Sequence, residues 1–157
     1  AQRDHYNAAN NYYKSAKSFE AGGEHEKAVA MHLVAAEKLQ AVAEDWVALG
    51  SPYSAANYYS NAATSFEAGG EHEKAVAMHL KAAGALQVVA EKHVAYGYPC
   101  VAGSYYAKAA TSFEAGGEHE KAREMGQLVA KQHEVAQTCV GNSAESNCNE
   151  VPKDELI

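Results

Sequence analysis

Small and aromatic residues recur at positions 8, 9, 12, 16 and 19, and this spacing predicts a helix from about Tyr6 to Ala21. Gly22-Gly23 ends it, because a glycine in the left-handed conformation closes a helix and its pair gives a tight turn. A second and longer stripe follows at Ala28, Met31, Ala35, Leu39, Val42, Trp46 and Leu49, with Lys27, Glu37, Lys38, Glu44 and Asp45 falling largely on the other side. Glu24 and Glu26 open this second helix, where carboxylates meet the exposed amides and the positive end of the helix dipole. Gly50-Ser51-Pro52 and Gly97-Tyr98-Pro99 are the next breaks, glycine closing one helix and proline tolerated at the start of another.

The pattern then repeats. Ser18 to Leu33 and Ser65 to Leu80 are the same sixteen residues, 47 positions apart, and Ser112 to Ala122 repeats the first eleven. Tyr12, Tyr59 and Tyr106 precede these blocks in register. The chain therefore divides into a repeat domain over 1–137, with units at about 4–50, 51–97 and 98–137, and a C-terminal tail over 138–157. Each unit is an antiparallel helix pair.

The segment Gly23-Glu24-His25-Glu26-Lys27-Ala28-Val29 resembles the turn between the two helices of a tetratricopeptide repeat. Tyr12, Ala16, Phe19, Ala28 and Ala35 fall at that family's large, small, aromatic and two close-packing alanine positions. Tyr59, Ala63, Phe66, Gly70, Ala75 and Ala82 repeat the match, and the third unit keeps Tyr106, Ala110, Phe113, Gly117 and Ala122 before departing at Gly126 and Val129. The period is 47 rather than 34, and the closing proline is absent because the second helix continues for about three more turns. The resemblance implies an all-α fold: a right-handed α-solenoid of three helix-turn-helix repeats, six antiparallel helices in all, with a short irregular C-terminal tail. Polar residues at Asn7, Asn11, Lys14 and Lys17 in the first helix, and at Arg123, Glu124, Gln127, Lys131 and Gln132 in the last, are expected to cap the stack.

Composition narrows the function. Lys+Arg 13 against Asp+Glu 20 gives a formal charge of −7 with no basic cluster, which argues against nucleic acid and anionic membranes as partners. No apolar run reaches the roughly 20 residues that cross a bilayer. The chain starts at Ala1 without methionine, which suggests removal of an N-terminal segment, and Ile157 after Lys-Asp-Glu-Leu spoils a retention address. Of three cysteines, Cys139 and Cys148 flank a polar stretch and could close a small disulfide loop, or either could pair with Cys100. This tail points to an extracellular or secretory-pathway compartment, with the cytoplasm as the alternative.

Chemistry-bearing motifs are scarce. No nucleophile elbow, metalloprotease signature or phosphate loop occurs, so the reading is non-enzymatic and without a cofactor. His25, His72 and His119 recur at the same turn, but equivalent positions in stacked helices lie about 10 Å apart, whereas ligands of one zinc ion lie within about 4 Å of each other. His32 and His79 occupy a position where the tetratricopeptide pattern has an aromatic core residue, so packing is expected and no metal is assigned. The resemblance places a partner-binding groove along the first helices, at Asn10, Tyr13, Lys17 and Glu20, then Asn57, Ser60, Thr64 and Glu67, then Ser104, Ala107, Thr111 and Glu114. Its three glutamates would suit an extended segment with amide or basic groups. The expected function is a protein-protein interaction or scaffold role, with another polypeptide or further copies of the chain as partner, including a self-assembling subunit. The alternative is a metal or small-ligand carrier using the histidines and tyrosines.

Overall fold

The computed structural model describes residues 2–142, with side chains from 5 to 138. Among the described residues six helices follow one another: α1 Gln2–Ala21, α2 His25–Ala48, α3 Pro52–Ala68, α4 His72–Ala95, α5 Pro99–Ala115 and α6 His119–Asn142. Each packs antiparallel on its neighbours in the chain, and the described residues contain no strand. α6 continues to Asn142, past the expected boundary at 137. No described helix is long and apolar enough to cross a membrane.

All five turns have the same construction. After α1, the Glu24 N–H donates to the Phe19 carbonyl at 2.9 Å and the Gly23 N–H to the Glu20 carbonyl at 3.1 Å. This is the Schellman closure, and Gly23 takes the positive φ of 74° that it needs. Gly50, Gly70, Gly97 and Gly117 do the same at the other four. In the turns within a unit, the first glycine of each pair has a different reason. A β-carbon on Gly69 would lie 2.8 Å from Leu33 Cγ, and one on Gly116 2.8 Å from Leu80 Cγ, so these glycines admit a leucine from the preceding unit. At Gly22 only the carbonyls of its own helix lie nearby.

This explains the lengths of the identical blocks. Phe19, Glu24 and Lys27 form a self-contained turn: Lys27 pairs with Glu24 and its ammonium lies 5.5 Å from the Phe19 ring centre. Lys74 over Phe66 and Lys121 over Phe113 repeat that arrangement, so all three units share these residues. Leu33 and Leu80 instead serve the next unit. The third has exposed Gln127 in that place, and no further unit packs there among the described residues.

The odd and even helices lie in two layers. Tyr6 meets Tyr58 edge-on at 5.9 Å, and Tyr53 meets Tyr105 at 5.8 Å, which links α1 to α3 and α3 to α5. Across the other layer, Lys81 on α4 reaches Glu44 on α2 at 3.3 Å. The interior of α3 is alanine-rich, with Ala55, Ala56, Ala62 and Ala63 fully buried, and so α2 and α4 can close around it. Burial, together with the carboxylates of Glu44 and Glu91, pushes the Tyr59 and Tyr106 hydroxyls above their ordinary titration range.

Three expectations need correction. The buried stripe of α2 passes through His32, with Met31 half-buried at its side, because 28, 32, 35, 39 and 42 follow the 3.6-residue period more closely. Leu49 is not part of it, being the C-cap residue and 64% exposed. Gln132 does not cap the outer face of α6. It is buried, with its β-carbon facing Gly103 of α5.

Candidate binding surfaces

The twelve groove positions carried over from the repeat pattern are exposed, apart from half-buried Glu20 and Ser60. The structure gathers three of them. Asn10, Tyr13 and Thr64 line a cavity of about 300 Å³ between α1 and α3, whose floor is Leu39 of α2. Tyr6, Ala9, Asn61 and Ser65 complete it. Thr111 and Glu114 line a second cavity of about 500 Å³ with Ala110, His119, Ala122 and Arg123. Lys17, Glu20, Asn57, Ser60, Glu67, Ser104 and Ala107 line neither. The Thr64, Thr111 and Ser104 hydroxyls donate to carbonyls four residues back in their own helices, which ties up their protons.

The three glutamates already have partners. Glu20 accepts from the Lys17 ammonium and from His32 Nε2, each at 2.9 Å, and the Lys17 hydrogen bond, more than that of His32, holds its carboxyl below the ordinary 4.5. Glu67 meets His79 Nε2 at 3.2 Å, and Glu114 meets His119 Nδ1 at 2.9 Å. Glu114 turns to His119 because Gly126 stands where His32 and His79 stand in the other units. The ladder of carboxylates is thus largely satisfied within the molecule, and the amides of Asn10 and Asn61 are the more available polar groups on this face.

His32 is 2% exposed, lies edge-on to Tyr13 at 5.7 Å, and its Nδ1 is buried without a hydrogen-bond partner. His25 and His72 stand exposed at the first positions of α2 and α4. Among the described residues no group of three His, Cys, Asp or Glu side chains could hold a metal ion. Cys100 is disulfide-bonded, and the side chains of Cys139 and Cys148 lie outside the described residues.

No family model matches this chain, and no curated protein is significantly similar to it.

Two features escaped the reading of the sequence. His93 is buried and stacks flat on Tyr105, 5.3 Å between ring centres and 7° between planes. It takes the place of Trp46, which packs against the same core cluster as Tyr58, the counterpart of Tyr105 one unit earlier. Alignment of the two second helices carries that signal. The other is a channel of about 520 Å³ between α2 and α4, on the opposite side of the molecule, lined by Val47, Leu80, Lys81, Gly84, Val88 and Lys92 among others.

Proposed function

We propose that the protein is a non-enzymatic interaction protein that holds an extended segment of another polypeptide on the face made by α1, α3 and α5. The observation that carries this reading is the cavity between α1 and α3. There, two asparagine amides face a cleft flanked by the exposed Tyr6 and Tyr13 rings. Asparagine offers both a donor and an acceptor, which matches a peptide group, and tyrosine adds contact area with little loss of side-chain entropy. The resemblance to tetratricopeptide repeats, which use this face for the same purpose, supports it. Net charge favours a neutral or basic polypeptide over nucleic acid. The disulfide at Cys100 favours an oxidising compartment.

Other copies of the chain are a weaker choice of partner, at least as a continued stack. Asn11 stands where Tyr58 and Tyr105 meet the preceding unit, Cys100 where Tyr6 and Tyr53 do, and Gln127 where Leu33 and Leu80 enter a turn. The carrier reading has less support again, because His32 and His79 are held by Glu20 and Glu67.

Selection of displayed random peptides on the purified protein tests the proposal. Enriched peptides should bind the Asn10→Ala/Asn61→Ala variant at least about tenfold more weakly. Failure to enrich any peptide, or equal binding by the variant, would remove the reading.

A further inference from the structure

Gly84 lies in the middle of α4, and no atom comes within 4 Å of the place its β-carbon would take. Packing inside the molecule therefore gives no reason for glycine, which is less favourable than alanine at a helix interior. The aligned units have Glu37 and Lys131 here. At the next position Ala85 replaces Lys38 and Gln132. Two adjacent positions that carry long polar side chains in the other units are thus reduced to the smallest residues, and only in α4.

The consequence is the channel of about 520 Å³ between α2 and α4. Val47, Leu80 and Val88 make it apolar, Tyr59 of α3 lies at its base, and Gly84 and Ala85 leave the α4 backbone open to close approach. Val47 and Val88 are 54% and 43% exposed, more than valines in a closed interface would be. Lys81 and Lys92 are eleven residues apart, about 16 Å along the helix axis. Lys81 already meets Glu44, while Lys92 pairs with no acidic side chain among the described residues.

We propose that this channel is the docking site for the apolar face of an amphipathic helix in a partner polypeptide, with acidic residues bordering the apolar stripe. α2 and α4 already hold α3 on one side through small residues, and the partner helix would lie on the other side of the same pair as its mirror image. A helix occupant fits the lining positions Leu80, Gly84, Val88 and Lys92, which run as one stripe for about 18 Å along α4, and acidic borders follow from Lys81 and Lys92. The site is on the opposite face from the α1–α3 cavity and stands independently of it.

The probe is a fluorescent synthetic helix of about sixteen residues with a leucine and alanine stripe and two glutamates eleven positions apart, compared with the same peptide carrying lysines instead. Fluorescence anisotropy with the full chain should give saturable binding of the glutamate peptide and weaker binding of the lysine peptide. Gly84→Glu/Ala85→Lys, which restores the residues of the first unit, should weaken binding at least about tenfold at unchanged helix content. Lys92→Glu, a change at an exposed position, should reduce or abolish the preference for the glutamate peptide. Asn10→Ala/Asn61→Ala should leave both affinities as they were, so the two faces are judged separately. The proposal is overturned if neither peptide saturates, if the double variant folds and binds as before, or if Lys92→Glu does not alter the preference. Should the double variant not fold, the charge exchange at Lys92 decides.

Discussion

The Leu33 side chain fills the space that a β-carbon on Gly69 would occupy. The contact joins the second helix of one unit to the turn of the next, and Leu80 repeats it at Gly116. Because Gly69 has a helical φ of −82°, its replacement by alanine is opposed by crowding and not by the backbone. Gly69→Ala and Gly116→Ala should each cost about 1 kcal/mol or more in urea unfolding, whereas Gly22→Ala should be close to neutral. A double-mutant cycle with Leu33→Ala should recover much of the cost at Gly69 and none at Gly116.

The left-handed glycines act through a different mechanism. Gly70 has a φ of 80° and open space around it, so the penalty for a side chain there is conformational. Gly70→Ala should lower stability by about 1 kcal/mol, and Gly70→Asn by less, since asparagine tolerates this region. Equal effects from the two substitutions would show that the turn does not keep its left-handed residue.

His32 and His79 occupy the same position in successive units but differ in burial, 2% against 17% side-chain exposure. Replacing each by the glycine of the third unit separates packing from helix propensity, since the second cost is shared. His32→Gly should destabilise by about 3 kcal/mol and His79→Gly by distinctly less, measured by thermal melts. Equal costs at the two positions would show that the difference in burial does not govern the contribution of the imidazoles.

The carboxyl of Glu20 is held below its ordinary 4.5 by Lys17 first and His32 second. A group whose folded value is depressed adds stability above its unfolded value and loses it as pH falls through the folded one. The contribution is therefore present at neutral pH and disappears on acidification below about 4.5. Carbon-detected NMR titration should place the Glu20 midpoint below the ordinary value, and Lys17→Met should move it up. Added salt should reduce the difference, because both side chains face solvent. An ordinary midpoint in the unmodified protein would rule this arrangement out.

The architecture was readable because one period of 47 residues carries its own punctuation. Gly23, Gly50, Pro52 and their repeats fixed the ends of helices, and self-contained contacts such as Lys27 over Phe19 repeat wherever the sequence does. Contacts between units were harder to read. Leu33 lies outside the stripe of Ala28, Met31 and Ala35, and nothing local connects it with Gly69, 36 residues later. Likewise the pairing of Tyr6 with Tyr58 depends on the offset between neighbouring units. Of the groove positions that the repeat pattern names, Asn10, Tyr13 and Thr64 line one cavity, but the pattern could not show that the glutamates would be taken by His32, His79 and His119. A repeat shows itself through sameness, whereas Gly84 is informative through its difference from Glu37 and Lys131.

Each helix touches chiefly the helices before and after it in the chain. Mechanically, the molecule is a set of springs in series. A load applied between α1 and α6 must cross every intervening interface, so the weakest one determines the yield force while the others stay intact. Extension should proceed in discrete steps from whichever interface gives way first, and a partner bridging α2 and α4 would stiffen only the interfaces that it spans.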